Sequence, residues 1–298
     1  MATEVGWELY RSFLGVLQEG SLSGAARALG ITQPTVGRHI STLEDSLGLT
    51  LFTRSQTGLL PTEAALALRP YAESMRSTAD ALRRAADSQG EGAKGTVRVS
   101  ASEVVGVEVL PPIIARLRQA QPQLTVELVT TNRVQDLLQR EADIAVRMTR
   151  PRQELLIARL VGVVALGFFA HRSYLARHGT PKTVTDLLQH SLIGFDQETP
   201  FLRQARKAMP EWSRGAFSIR TDSDVGQIAL IRAGCGIGVC QVPLTKLNAD
   251  LVQVLPQKFG LKLETWVTMH EDLRNSPRCR VTFDALVKGL TAYATNAI

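Results

Sequence analysis

Residues 21–47, SLSGAARALGITQPTVGRHISTLEDSL, admit few folds. Two apolar stripes at helical spacing flank a glycine, and a helix-start signal precedes each. Ser21 is placed to cap the first helix, its hydroxyl accepting an otherwise unpaired backbone N–H. Ala25, Ala26 and Leu29 then form a small, flat apolar face that lets another helix approach closely. Gly30 stands where a helix commonly ends in a left-handed residue, which a missing Cβ makes inexpensive. Thr32 is the second cap, and Pro34 falls in the first turn, where its absent N–H is not needed. Val36, Ile40, Leu43 and Leu47 recur at steps of four, three and four, so one stripe of this helix faces a core. Gln33, Thr35, Arg38, His39 and Thr42 lie off that stripe.

Those side chains are of the kind that read base edges or hold phosphates. The pattern is that of a helix-turn-helix whose second helix enters a DNA groove. A plain helical hairpin needs the same cap, glycine and stripe, so the motif alone leaves both readings open. Residues 49–62, LTLFTRSQTGLLPT, add β-favouring runs around a Gln-Thr-Gly turn with Arg54 at the base, a two-stranded wing.

With the wing in place, residues 7–65 resemble the N-terminal domain of LysR-type transcriptional regulators. The resemblance rests on Phe13, Gly20-Ser21, Ala25-Ala26 with Leu29, Thr32-Gln33-Pro34-Thr35-Val36 and Arg38. It continues through Leu43-Glu44, Leu47-Gly48, Leu51-Phe52-Thr53-Arg54 and Thr62-Glu63-Ala64, without a gap. Two positions depart from the family pattern. Gly37 stands where serine is usual, removing one hydroxyl contact to DNA and costing about 1 kcal/mol relative to alanine inside a helix. Ala65 stands where glycine is common.

Charge does not by itself point to nucleic acid. The formal net charge is +6, yet residues 1–95 hold nine Lys/Arg and ten Asp/Glu, so the excess lies in residues 96–298. Phosphate attraction therefore rests on local placement of Arg27, Arg38 and Arg54 and on helix N-termini. The C-terminal excess includes Arg203, Arg206, Lys207, Arg214 and Arg220, either a solvated face or an attractor for an anionic ligand. No signal-like or membrane-spanning apolar run occurs, so the expected setting is the cytoplasm, without a membrane partner. Cys235, Cys240 and Cys279 are too few for a disulfide framework, and small residues around the first two suit a helix end and a buried strand. No metal-ligand spacing, catalytic constellation or dinucleotide fingerprint appears, so neither an enzyme, a metal site nor a cofactor is expected.

A chain of 298 residues has room for about two domains. A first helix spans about Val5–Gln18, buried through Leu9, Phe13, Leu14 and Leu17. Thr62 caps a long helix to about Asp87, in which Leu68, Tyr71 or Ala72, Met75, Ala79, Leu82 and Ala86 make a heptad-like seam. That seam packs against a second copy of the chain or against its own. Pro70 kinks this helix or defines its first turn. Residues 88–95, SQGEGAKG, read as a hinge. The expected division is a winged helix-turn-helix over 1–65, linker helix and hinge over 66–95, and a third region over 96–298.

From Thr96 strands and helices alternate, which indicates an α/β fold with a largely parallel sheet. Separate strands are expected at Ile157–Leu160 and Val164–Ala170, a helix near Val134–Arg140 and a final helix from about Arg280. The order, with GCGIGVCQVP after the helix at Val225, resembles the effector-binding region of the same regulators. That region has the two-lobed fold of periplasmic binding proteins, with lobes near 97–163 plus 270–298 and 164–269. Ligands of α/β sheets lie beyond the carboxyl ends of strands. This rule selects Ser100, Ala101, Ser102, Thr130, Thr131 and Arg147 in one lobe, and Phe195, Asp196, Thr221 and Ser223 in the other. Hydroxyls plus an arginine suit a small carboxylate or similar anion. Each hydroxyl also makes an ordinary helix cap, and Arg147 an ordinary partner for a structural carboxylate.

The combined expectation is a transcription regulator controlled by a small-molecule effector. Gln33, Thr35 and Arg38 face bases of double-stranded promoter DNA, while Ser21, Arg27, Thr32, Pro34, His39, Thr42 and Arg54 lie along the same surface. The resemblance further implies dimers through the linker helix, tetramers through the effector domains, and contact with RNA polymerase if the protein activates. The rival reading is a soluble small-molecule-binding protein, or a protein–protein adaptor using the winged helix.

Overall fold

A computed structural model describes residues 5–56, 58–87, 92–132, 141–151 and 156–295. The expected helix at Val134–Arg140 lies outside them, as do the turn residue Thr57 and residues 88–91 of the expected hinge. The chain divides into two compact units, Met1–Ala86 with Leu138–Glu141, and Asp87–Leu137 with Ala142–Ile298.

The first unit holds α1 (Trp7–Glu19), α2 (Leu22–Leu29), α3 (Gln33–Leu47), the hairpin β1 (Phe52–Ser55) and β2 (Gly58–Pro61), and α4 (Glu63–Asp87). Ser21 Oγ accepts the Gly24 N–H, and Gly20, Gly30 and Gly48 end α1, α2 and α3 in the left-handed conformation. The core is built from Phe13, Leu14, Val16, Ala25, Val36, Leu43 and Leu51; on α1 the unmarked Val16 is fully buried, while Leu9 and Leu17 pack only partly buried against it. Gly15 lets α1 and α2 close up, since a Cβ there would sit 3.0 Å from Leu29. The wing is fastened to the α1–α2 turn by the Leu59 N–H on the Gly20 carbonyl at 2.8 Å. Thr62 Oγ1 donates to the Thr50 carbonyl and accepts the Ala65 N–H, so one hydroxyl ties the wing to the start of α4.

The expected α4 seam resolves into two faces. Leu68 packs against the unit's own core and Ala72 is buried there, whereas Tyr71 and Leu82 are 73% and 71% exposed. Pro70 neither starts nor ends the helix. It lies inside α4, and its missing N–H leaves the Leu66 carbonyl without the usual helical donor.

The second unit is α/β. One path of hydrogen-bonded strands runs β4-β3-β5-β11-β6-β9-β7-β8, with β10 paired to β6. In chain order these are β3 (Gly95–Ala101), β4 (Leu124–Thr130), β5 (Ile144–Arg147), β6 (Leu156–His171), β7 (Leu192–Gly194), β8 (Phe217–Arg220), β9 (Ile237–Gln241), β10 (Leu251–Val254) and β11 (Lys262–His270). The helices are α5 (Leu110–Ala120), α6 (Arg172–His178), α7 (Val184–Leu187), α8 (Pro200–Ala208), α9 (Asp224–Arg232) and α10 (Pro277–Ala294). Pairs β3–β4, β3–β5, β7–β8 and β7–β9 are parallel. The expectation of a largely parallel sheet fails at the centre, where β11 and β6 are antiparallel to each other and to their neighbours.

The strands expected at Ile157–Leu160 and Val164–Ala170 are one strand, β6, and that continuity joins the lobes. Its first part pairs only with β11, and its last part with β9 and β10. A register shift at Thr265/Trp266 in β11 faces Gly162, whose φ of +153° favours glycine. A Cβ at Gly162 would also meet Ala294 at 2.4 Å. Burial is concentrated in the later part of each strand, Leu166–Ala170 of β6 and Val267–Met269 of β11. β10 had no sequence signal strong enough to separate it from its flanking loops, and α10 starts at Pro277 rather than Arg280.

The run GCGIG acts as turn and packing chemistry. Gly234 is left-handed at φ +71°, a Cβ at Gly236 would lie 2.1 Å from the Ser191 carbonyl, and one at Gly238 would meet Ile231.

Candidate functional sites

On the first unit, α3 presents Gln33, Pro34, Arg38 and Thr42 as exposed side chains, with Arg27 and Arg54 exposed on α2 and β1. Gln33, Arg27, Arg38 and Arg54 make no side-chain hydrogen bond or ion pair to the described residues, and so stand available to a polyanion. Thr32 caps α3 and its Oγ1 lies 2.8 Å from Thr35 Oγ1, so this pair is partly spent on the helix start. Ser21 is likewise a cap. His39 Nδ1 lies 2.7 Å from Ser12 Oγ, which fixes the ring against α1 and leaves only its other nitrogen for a phosphate. Glu44 is a positioning residue that residue-type reasoning passed over. Its Oε1 accepts the Leu51 and Phe52 N–H groups at 2.7 and 3.2 Å, aiming the wing relative to α3.

Gly37 has open space around it, the nearest atom to an added Cβ being Leu22 Cδ1 at 3.7 Å. Gly37→Ala should therefore stabilise the first unit by about 1 kcal/mol. Urea titration of both proteins would show it as a higher midpoint at constant slope.

The second unit brings the ends of β3, β4 and β5 together with α9. Ser100 is fully buried, and its Oγ accepts from Arg147 Nη2 at 2.7 Å. Arg147 Nη1 also donates to the Val146 carbonyl, so part of the guanidinium is held by its own lobe. Ala101 is fully buried and its carbonyl takes the Thr131 N–H. A π-helical turn, Val105–Val109, precedes α5, and Gly106 in it leaves no room for a Cβ beside Thr130. Ser223 Oγ caps α9 on the Gly226 N–H, and Thr221 Oγ1 accepts the Ser223 N–H.

Two expected ligand contacts are committed elsewhere. The Phe195 ring is 8% exposed in the lobe-two core, 5.9 Å from the Phe201 ring. Asp196 pairs with Arg214 at 2.7 Å and its carbonyl takes Arg214 Nε. Strand-end position alone does not tell an inward ring from a cleft-facing one.

Cross-lobe contacts come instead from residues that carried no motif. Asn132 Oδ1 accepts the Glu103 N–H at 3.1 Å, while its Nδ2 donates to Asp224 Oδ2 at 2.6 Å. Glu108 and Arg232 form a two-pronged ion pair at 2.8 and 2.6 Å. That pair raises the Arg232 pKa further, chiefly through the Glu108 hydrogen bond. Burial pushes the Asp224 carboxyl above its ordinary value, opposed by the Asn132 hydrogen bond and reinforced by the charge of Glu103. Burial also pushes the Cys240 thiol up to about 12, which suits packing rather than thiolate chemistry.

The Asp224 shift has a direct consequence. The folded state binds this proton more tightly than the unfolded state does. Its favourable contribution is thus present at acid pH, fades as pH rises from the ordinary value of 3.8 through the raised one, and stays lost above. Asp224→Asn should remove that component of the slope, seen in melting temperatures taken from about pH 4 to pH 7 at constant ionic strength.

Comparison with known proteins settles the family. The family model described as bacterial regulatory helix-turn-helix protein, lysR family, matches residues 7–66, and that described as LysR substrate binding domain matches residues 90–291. The chain is a LysR-type transcriptional regulator. Among its relatives is the HTH-type transcriptional regulator CrgA of Neisseria meningitidis serogroup C. It is 28% identical over 284 residues, which cover 93% of this chain and 95% of CrgA. The HTH-type transcriptional activator AaeR of Escherichia coli K12 is 27% identical over 255 residues, covering 83% and 81%. In fold, this LysR-type regulator is similar to full-length AphB of Vibrio cholerae, with a TM-score of 0.60 at 23% identity over 95% of this chain and 99% of that one. Full-length CbnR solved with its target DNA gives a TM-score of 0.66 at 18% identity over 95% and 99%. No helix among the described residues is long and apolar enough to cross a membrane.

Proposed function

We propose that this LysR-type regulator reads promoter DNA through α3 and answers to a small effector held between the two lobes of its second unit. The observation that carries the DNA half is the exposed, unpaired set Gln33, Arg38, Arg27 and Arg54 on a buried, well-packed scaffold. Gln33, Thr35 and Arg38 read base edges, while Arg54 and helix N-termini hold the backbone. The α4 helices pair two chains so that two α3 helices meet the half-sites of an inverted repeat. Dimers join into tetramers, and an activating form also meets RNA polymerase. Solved full-length relatives, one of them with its target DNA, support the arrangement as an analogy of fold.

For the effector, Ser102, Thr130, Thr131 and Arg147 on one lobe and Thr221 and Ser223 on the other receive the ligand's carboxylate-like end, with the buried Ser100 holding the Arg147 guanidinium from beneath. Binding biases promoter occupancy only insofar as the ligand prefers one assembly geometry over the other.

Arg38→Ala should lower affinity for the specific promoter by about 1–3 kcal/mol, roughly ten- to hundredfold, and narrow the gap to random DNA. Binding of the purified protein to the intergenic DNA beside its own gene, over a salt series and against random competitor, makes the test. Competitor-resistant binding supports the reading. Binding that random DNA removes equally, or affinity that ignores Arg38, refutes the assigned role.

A further inference from the structure

We infer that the interlobe cleft takes a ligand bearing an ammonium group, seated between Glu103 of one lobe and Asp224 of the other. The inference rests on the effector-cleft reading and deepens it. With the carboxylate end toward Arg147, it names the ligand class as amino acids.

Two acceptors of the first lobe go unanswered among the described residues. Ser102 Oγ and Glu103 Oε2 are both inaccessible to solvent and have no hydrogen-bond partner among the described residues. Buried polar atoms without partners are uncommon in folded proteins, and each such group costs about 1–3 kcal/mol, more when charged. Asn132 does not relieve them, because its amide is used at both ends, on the Glu103 N–H and on Asp224 Oδ2. Asp224 thus receives a donor on one oxygen only among the described residues. Its elevated proton affinity, caused by burial first and the Glu103 charge as well, shows a place short of positive charge. Arg232 is not that positive charge, since both of its terminal nitrogens are on Glu108.

A hydroxyl and two carboxylates form a set rich in acceptors and poor in donors. A second carboxylate from a ligand would be repelled there. An ammonium group, with three N–H donors and one positive charge, is the chemical complement of such a set. Because Glu103 and Asp224 belong to different lobes, its binding would also favour the approached arrangement of the lobes, giving the differential affinity that regulation requires.

The test uses the full-length protein and thermal denaturation. The probes are the proteinogenic L-amino acids, each beside its N-acetyl derivative, at about 10 mM so that a weak site still registers as a shift of several degrees. One or more amino acids should raise the melting temperature, and N-acetylation should abolish the rise. Glu103→Gln and Asp224→Asn should each weaken that ligand at least tenfold by titration. Ser102→Ala, whose hydroxyl holds no protein partner, should weaken it less but in the same direction, which keeps the test open if a carboxylate variant folds poorly. Shifts that survive N-acetylation, shifts that survive Glu103→Gln, or no shift with any amino acid would overturn the inference. N-acetyl derivatives that bind and are lost in Arg147→Gln would leave the cleft reading standing while the ammonium inference falls. Binding indifferent to Glu103, Asp224 and Arg147 alike would remove both.

Discussion

A chain carrying Tyr71→Glu and Leu82→Glu is expected to lose the pairing through α4, eluting at half the parent's assembly size or smaller, and to lose two to four orders of magnitude in promoter affinity. Both residues are on α4, more than two-thirds exposed, and their side chains have no apolar cover from the described residues of their own chain. Met75 lies on the same helix and is 39% exposed, so the three form a continuous apolar ridge at helical spacing. A solvent-facing ridge of this kind on a 25-residue helix is best explained by an identical helix packed against it. The DNA penalty follows from valency. On the proposed reading one α3 helix contacts one half-site, and tethering two raises apparent affinity by about 10²–10⁴ without any new contact. Light scattering and gel-shift titration on the same sample check both halves. A variant that keeps the parent's assembly size would move the interface away from α4. A reduced assembly that binds DNA as tightly as the parent would remove the role of pairing.

The second large effect is one of stability. Phe168→Ala should destabilise the second unit by about 3–5 kcal/mol, lowering its melting temperature by roughly 6–15 °C. Phe168 is fully buried on β6, with the Trp212 ring at 4.9 Å and the Phe259 ring at 4.5 Å. Trp212 in turn meets Phe217 edge-on at 4.9 Å, so truncating Phe168 opens a void beside two rings and loosens the support of a third. Tilted ring pairs add about 0.5–1.5 kcal/mol each beyond buried area. The compact first unit has its own core and should keep its transition. Two-transition calorimetry, with Trp212 fluorescence reporting on the second unit, distinguishes the outcomes. An unchanged upper transition would mean that the ring cluster repacks around the loss.

Legibility was uneven for physical reasons. The first unit is built from contacts close in sequence, where caps, turn glycines and apolar periods write the structure almost residue by residue. Thr62 illustrates this, since the hydroxyl that starts α4 is legible as a cap. That the same hydroxyl also ties down the wing was not. In the second unit, strands announce themselves by composition, but pairing does not. A continuous apolar strand and two short ones look alike until β11 and β9 are seen on successive parts of β6. The cleft shows the same limit. The strand-end rule selects Ser100, Ser102, Arg147 and Phe195 alike, and only the packing shows that the Phe195 ring turns into the core. Asn132, Glu103, Glu108 and Arg232 have no local signature, because their partners lie far away in the chain.

The amino-acid sequence by itself determined the helix-turn-helix, its caps, the wing, the long helix after it and the α/β character of the rest. These follow from backbone preferences and short-range burial, which act within a few residues. Only the tertiary structure decided which residues of α4 face away from their own core, that β6 and β11 join the two lobes, and that Asn132 and Glu108 of one lobe meet Asp224 and Arg232 of the other. Those outcomes depend on long-range packing and on the desolvation of charges brought together, and neither exists until the chain has closed on itself.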